Sequence, residues 1–230
     1  CTMGATKLDH CRAMGRTIQL TAADGHVFDA YESRPAGAVQ GAVVVAPEIF
    51  GVNAHIRAVA DGYADQGWLA LAPALFDRSR RGYEAGYGQA DIEAGIGLMR
   101  SIDIEDALRD VAAALAHAAS AGKAGIVGYC WGGTIAWVAA ARLPGLACAV
   151  PYYGGGIPGF AAESPRCPVM LHFGERDHSP TPEQARAVVA AHPQVQAFFY
   201  PAGHGFNCDQ RASFDADSAA LARDRTLGFL

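Results

Sequence analysis

The sequence predicts a mostly parallel α/β sheet covered by helices on both faces, with an antiparallel hairpin at its N-terminal edge. Short runs of apolar, often β-branched residues alternate with longer amphipathic stretches along the chain. The run GAVVVA at 41–46 shows no in–out alternation, as expected of a strand buried on both faces. Glycine and proline fall at many of the junctions between runs, where the backbone must turn.

The elements follow in order. Arg16–Leu20 and His26–Ser33 read as strands around the turn Ala23-Asp24-Gly25, and their partial alternation suits an edge hairpin. Gly41–Ala46 is the first buried strand. Ala54–Gln66 has helical periodicity and meets a C-terminal glycine at Gly67. Trp68–Ala72 is a strand stopped by Pro73. Arg78–Gly88 is basic, aromatic and glycine-rich, and reads as a loop. Ser101–Ala119 is a long amphipathic helix, Ala124–Gly128 a strand, and Gly133–Leu143 a helix ended by Pro144-Gly145. Cys148–Tyr153, Val169–Gly174 and Val195–Tyr200 are further strands. Thr181–Ala191 and Asp215–Leu230 are the remaining helices.

Composition narrows the function. Over 230 residues, 18 basic and 23 acidic side chains leave a net charge of −5, without the basic stripe of a nucleic-acid binder. Apolar residues make up 51% and charged residues 18%, a globular balance. No apolar run approaches the roughly 20 residues of a membrane span. Six cysteines, with no CxxC pair, point to reduced thiols in a cytosolic protein rather than to a zinc or redox site. The polar stretch 1–14 reads as a leader or appended segment, leaving 15–230 as one domain, expected to be monomeric.

In a parallel sheet, chemistry gathers beyond the carboxyl ends of the strands. Gly128-Tyr129-Cys130-Trp131-Gly132-Gly133 follows a strand and opens a helix. That is the setting of a nucleophile elbow, with cysteine at the reactive position. The helix N-terminus there favours a thiolate. A thiol nucleophile needs a base, and the base an orienting acid. His204, between Gly203 and Gly205, follows the last strand. Asp177 follows the strand before it, with Glu175 as its rival. The oxyanion donors should be the N–H groups of Trp131 and Ile49. Glu48 is a carboxylate placed directly after a buried strand. Phe50, Tyr153 and Trp131 are candidates for the pocket wall.

The segments PEIFGVN (47–53), GYCWGG (128–133), ERD (175–177) and AGHGF (202–206) together resemble the dienelactone hydrolase family, in the family's order, from about Thr17 to Leu230. The resemblance implies an α/β-hydrolase fold and a triad of Cys130, His204 and Asp177. It implies that Glu48 contacts the resting thiol until substrate releases it, and that Ile49 and Trp131 form the oxyanion hole. It implies hydrolysis of a dienelactone to maleylacetate without any cofactor or metal. Of the two arginines with which the family binds the substrate carboxylate, Arg78 matches one. The other position holds Cys208, with Arg211 nearby but out of register, and Arg80 or Arg81 as possible substitutes. The expectation is therefore a cysteine hydrolase of small-molecule esters or lactones. The alternatives are a broader carboxylesterase or a noncatalytic ligand-binding protein on the same fold.

Overall fold

The computed structural model describes residues 15–230. The segment 1–14, read above as a leader, lies outside the described residues. Eight strands form one sheet in the order β1-β2-β4-β3-β5-β6-β7-β8. The hairpin β1 (Arg16–Thr21) and β2 (Val27–Ser33) is antiparallel, and β2 also runs antiparallel to β4 (Trp68–Pro73). From β4 onward the strands are parallel: β3 (Gly41–Ala46), β5 (Ala124–Tyr129), β6 (Ala149–Tyr152), β7 (Met170–Gly174) and β8 (Gln196–Tyr200).

Helices cover both faces, so the central strands have no solvent side. On one face Val43, Val45, Val127 and Val150 pack against α1 (Ala54–Ala64) and α6 (Ala216–Phe229). On the other, Val44, Ile126 and Leu171 meet α3 (Ile104–Ala118), α4 (Trp131–Arg142) and α5 (Pro182–Ala191). Every residue of β3 and β5 is buried, which accounts for their unbroken apolar sequence. Helix α4 is buried along almost its whole length and is apolar all round for the same reason. Among the described residues, no helix is long and apolar enough to cross a membrane.

One element departs from the sequence reading. The stretch after the glycine-rich loop, in which the sequence pattern predicts no element, forms α2 (Gln89–Arg100). Gly95 and Gly97 weaken its helical propensity. Gly95 is nonetheless the helix's one buried residue, and a β-carbon there would lie 2.4 Å from the Ile49 carbonyl oxygen. The glycine lets α2 seat directly on the loop after β3, over the carboxyl ends of the strands.

Candidate active site

The turn between β5 and α4 is built for close approach. A β-carbon on Gly128 would lie 1.9 Å from the Gly132 carbonyl, and one on Gly132 would lie 2.1 Å from the Ala46 carbonyl. Only glycine fits either place. Between them Cys130 has φ 55°, a left-handed conformation rare for a side-chain-bearing residue. Three bonds hold it there: Cys130 N–H to the Tyr152 carbonyl (3.1 Å), Gly132 N–H to the Pro47 carbonyl (3.1 Å) and Thr134 N–H to the Cys130 carbonyl (3.2 Å). The sulfur stands half-buried at the N-terminus of α4.

Cys130 Sγ lies 3.2 Å from His204 Nε2. His204 Nδ1 donates to Asp177, with its two carboxylate oxygens at 3.0 and 3.2 Å. Asp177 Oδ1 also accepts the Ser179 N–H at 2.8 Å, so the carboxylate is fixed at both ends. Its side chain is 1% exposed. Burial alone would lower the pKa of His204. The nearby Cys130 and the hydrogen bond to Asp177 outweigh burial and push it up to about 10. The rival acid Glu175 points outward to Arg186 (3.2 Å), and Thr181, not Asp177, caps α5.

These groups open onto a cavity of about 780 Å³. Ile49, Phe50, Trp131 and Arg211 line it beside Cys130 and His204. The Ile49 N–H has no hydrogen-bond partner among the described residues. The Trp131 N–H opens α4 and so has no acceptor within its helix. Ile49 and Trp131 thus line the same cavity as Cys130 with backbone donors that no acceptor in their own elements uses.

Three expectations need correction. Arg78 does not reach the cavity. Its guanidinium binds Asp110 through Nε (2.9 Å) and Nη2 (2.7 Å), and Asp24 through Nη1 (2.8 Å). Those acids lie far away in sequence, and they hold the Arg78 side chain, 11% exposed, in a structural cluster. Arg80 lies over the Tyr83 ring and Arg81 pairs with Asp29, so neither substitutes. Tyr153 is fully buried and is not on the wall. Its ring instead meets His204 edge-on at 5.2 Å between centroids.

Glu48 is the third. No hydrogen bond joins it to Cys130 among the described residues. Its Oε1 accepts from Arg211 Nη1 at 3.1 Å, while its buried Oε2 has no partner. Arg211, out of register by residue counting, is a cation at the cavity beside Cys130 and His204; Arg100 lines the cavity as well. Two successive turns bring Arg211 back: Cys208 N–H bonds the Gly205 carbonyl, and Arg211 N–H bonds the Cys208 carbonyl. Cys208 itself is buried, with its thiol pushed up to about 11 by burial and by the charge of Glu48. His178, also unanticipated at the site, lines the cavity with its ring 5.7 Å from that of His204.

The one group of potential metal ligands among the described residues is His55, Cys208 and Asp209, where His55 Nδ1 already pairs with Asp209 at 3.1 Å. None of the three lines the cavity.

The model of the dienelactone hydrolase family matches residues 28–230. The chain belongs to the dienelactone hydrolase family. The carboxymethylenebutenolidase of Pseudomonas putida is 35% identical over 225 residues, covering 93% of this chain and 94% of that protein. Carboxymethylenebutenolidase 1 of Cupriavidus pinatubonensis is 32% identical over 225 residues, covering 93% and 95%. A crystal structure from Klebsiella pneumoniae, provisionally described as a dienelactone hydrolase, superposes with a TM-score of 0.80 at 30% identity, covering 93% of this chain and 98% of that one. This dienelactone hydrolase family member thus has the α/β-hydrolase fold and is a carboxylic ester hydrolase, of a family acting on small-molecule esters or lactones.

Proposed function

We propose that the protein is a cysteine hydrolase that opens a small, carboxylate-bearing lactone of the dienelactone type to the ring-opened acid, maleylacetate for dienelactone itself. The 3.2 Å contact of Cys130 Sγ with a His204 already oriented by Asp177 carries this reading. The thiolate attacks the ester carbonyl carbon. The carbonyl electron pair moves to oxygen and is held by the Ile49 and Trp131 N–H groups. Collapse of this intermediate breaks the C–O bond, and the leaving oxygen takes the proton held on His204 Nε2. A water then attacks the thioester while His204 takes its proton. Collapse expels the thiolate, and the product acid is released.

Arg211 is the group for the substrate carboxylate. It now binds Glu48 through one contact, so an entering carboxylate has to displace Glu48. Tyr153 supports the histidine from below, and Phe50 lies beneath Arg211 as a flat apolar floor. The commitment of Arg78 elsewhere favours a second, broader reading as a carboxylesterase, because the position that the resemblance gives to a carboxylate-binding arginine is tied up with Asp110 and Asp24.

The deciding experiment compares both dienelactone isomers with p-nitrophenyl acetate, following acylation and turnover separately. Iodoacetamide should abolish all activity and label Cys130. Loss of activity with Cys130 unlabelled overturns the nucleophile. Preference for the neutral ester overturns the dienelactone reading in favour of the carboxylesterase.

A further inference from the structure

The cavity has a second region that a small anionic lactone does not use. Ile92, Ile96 and Met99 recur at helical spacing along α2, and Ile102 and Ile104 continue the surface into α3. An apolar stripe of this kind ordinarily packs into the core. Here each of the five packs against the core with part of its surface yet remains half-exposed, and Gly95 is the only buried residue of α2. All five line the same cavity as Cys130. The opposite face of α2 carries exposed Glu93 and Gly97. The helix therefore holds its apolar side towards an open space beside the nucleophile, seated by Gly95 on the loop that carries the Ile49 donor.

We propose that this wall is a binding subsite for a medium-chain or aromatic apolar group attached to the scissile ester. The inference rests on the hydrolase reading above and extends its substrate class. Covering half-exposed aliphatic side chains with substrate removes apolar surface from water; Arg100, at the C-terminal end of α2, is the charged residue of this wall, and the five aliphatic side chains beside it supply no polar partner. Continuity with the reactive sulfur identifies the occupant as part of the substrate and not a separate ligand.

Two ester series test this. One lengthens the acyl chain from p-nitrophenyl acetate to hexanoate, and the other lengthens the alkyl group of acetate esters. In one of the two, kcat/KM should rise by about threefold per methylene, so a chain longer by four methylenes should exceed the shortest by about eightyfold. I96D should lower that ratio at least about tenfold, because it places a charge in the wall. I96W should shift the optimum to a shorter chain by filling the space. A flat profile in both series, or a ratio indifferent to both variants, overturns the proposal. Calorimetry on C130A separates this failure from failure of the hydrolase reading. A longer ester that binds the variant more tightly than acetate supports the subsite even where turnover is absent, and equal binding refutes it.

Discussion

Gly205 makes room for Arg211. The glycine has φ 76°, and a β-carbon on it would lie 2.4 Å from Arg211 Nη1. This cation of the cavity therefore depends on a backbone position one residue beyond His204. G205A should cost about 1–3 kcal/mol from backbone strain and push the guanidinium from its place against Glu48. The direct test is R211A. It should lower kcat/KM for an acidic lactone by about ten- to a hundredfold, the worth of a well-formed bond to a charged group. Hydrolysis of p-nitrophenyl acetate should fall much less. Equal losses on both substrates would make Arg211 a structural residue.

Arg78 gives the contrasting case. Its partner Asp110 has a fully buried side chain. R78A would leave that carboxylate without its cation, and breaking a buried pair from one side costs about 3–5 kcal/mol. The variant should unfold at a much lower urea concentration, while its preference between acidic and neutral esters stays that of the parent. A change of preference at undiminished stability would return Arg78 to substrate binding.

The parts of the site that could be read from sequence share a simple geometry. Cys130, Asp177 and His204 each follow a strand directly, so the parallel sheet alone carries them to one rim. Glu48 and Ile49 follow β3 in the same way. Arg211 could not be read because two consecutive turns fold its segment back, and counting residues from His204 lands on buried Cys208. Arg78 misled because Asp24 and Asp110 reach it through tertiary packing. Helix α2 was invisible because Gly95 answers to the Ile49 carbonyl rather than to helix propensity.

Glu32 gives the fold an acid limit. Burial would raise its pKa, but hydrogen bonds from Arg34, His117 and Arg16 prevail and lower it from an ordinary 4.5 to about 2. The folded-state value lies below the unfolded one. The contribution is therefore present above about pH 4.5 and is lost as pH falls through 2. It amounts to about 3 kcal/mol. Urea titrations of E32Q should show a loss of that order at pH 7 and a smaller difference from the parent by pH 2.5. A constant difference across that range would disprove the linkage.

Gly95 links α2 to Ile49, the proposed oxyanion donor. In G95V the side chain must displace the Ile49 carbonyl or the helix, and either movement disturbs the Ile49 N–H. Losing one such donor costs about a hundredfold or more in kcat. Because α2 buries so little, the cost in stability should be small by comparison. Circular dichroism melts and steady-state rates, measured together, separate the two effects. A low kcat with near-normal melting supports the coupling, and a normal kcat refutes it.

The 3.1 Å bond from Arg211 to Glu48 makes Glu48 the proposed competitor of a substrate carboxylate, and E48Q tests that competition. Glutamine keeps the shape and an oxygen to accept from Arg211 but removes the charge. The guanidinium then faces an entering carboxylate without an anionic rival. KM for an acidic lactone should fall by about tenfold, roughly the worth of a charge-assisted bond over a neutral one. KM for p-nitrophenyl acetate should barely move, since that ester has no carboxylate to compete. If Glu48, once displaced, also helps draw the proton from the site, kcat for the lactone falls in E48Q even as KM improves. An unchanged kcat restricts Glu48 to neutralising the empty arginine. An acidic-lactone KM that fails to fall shows that Glu48 and substrate do not meet at Arg211.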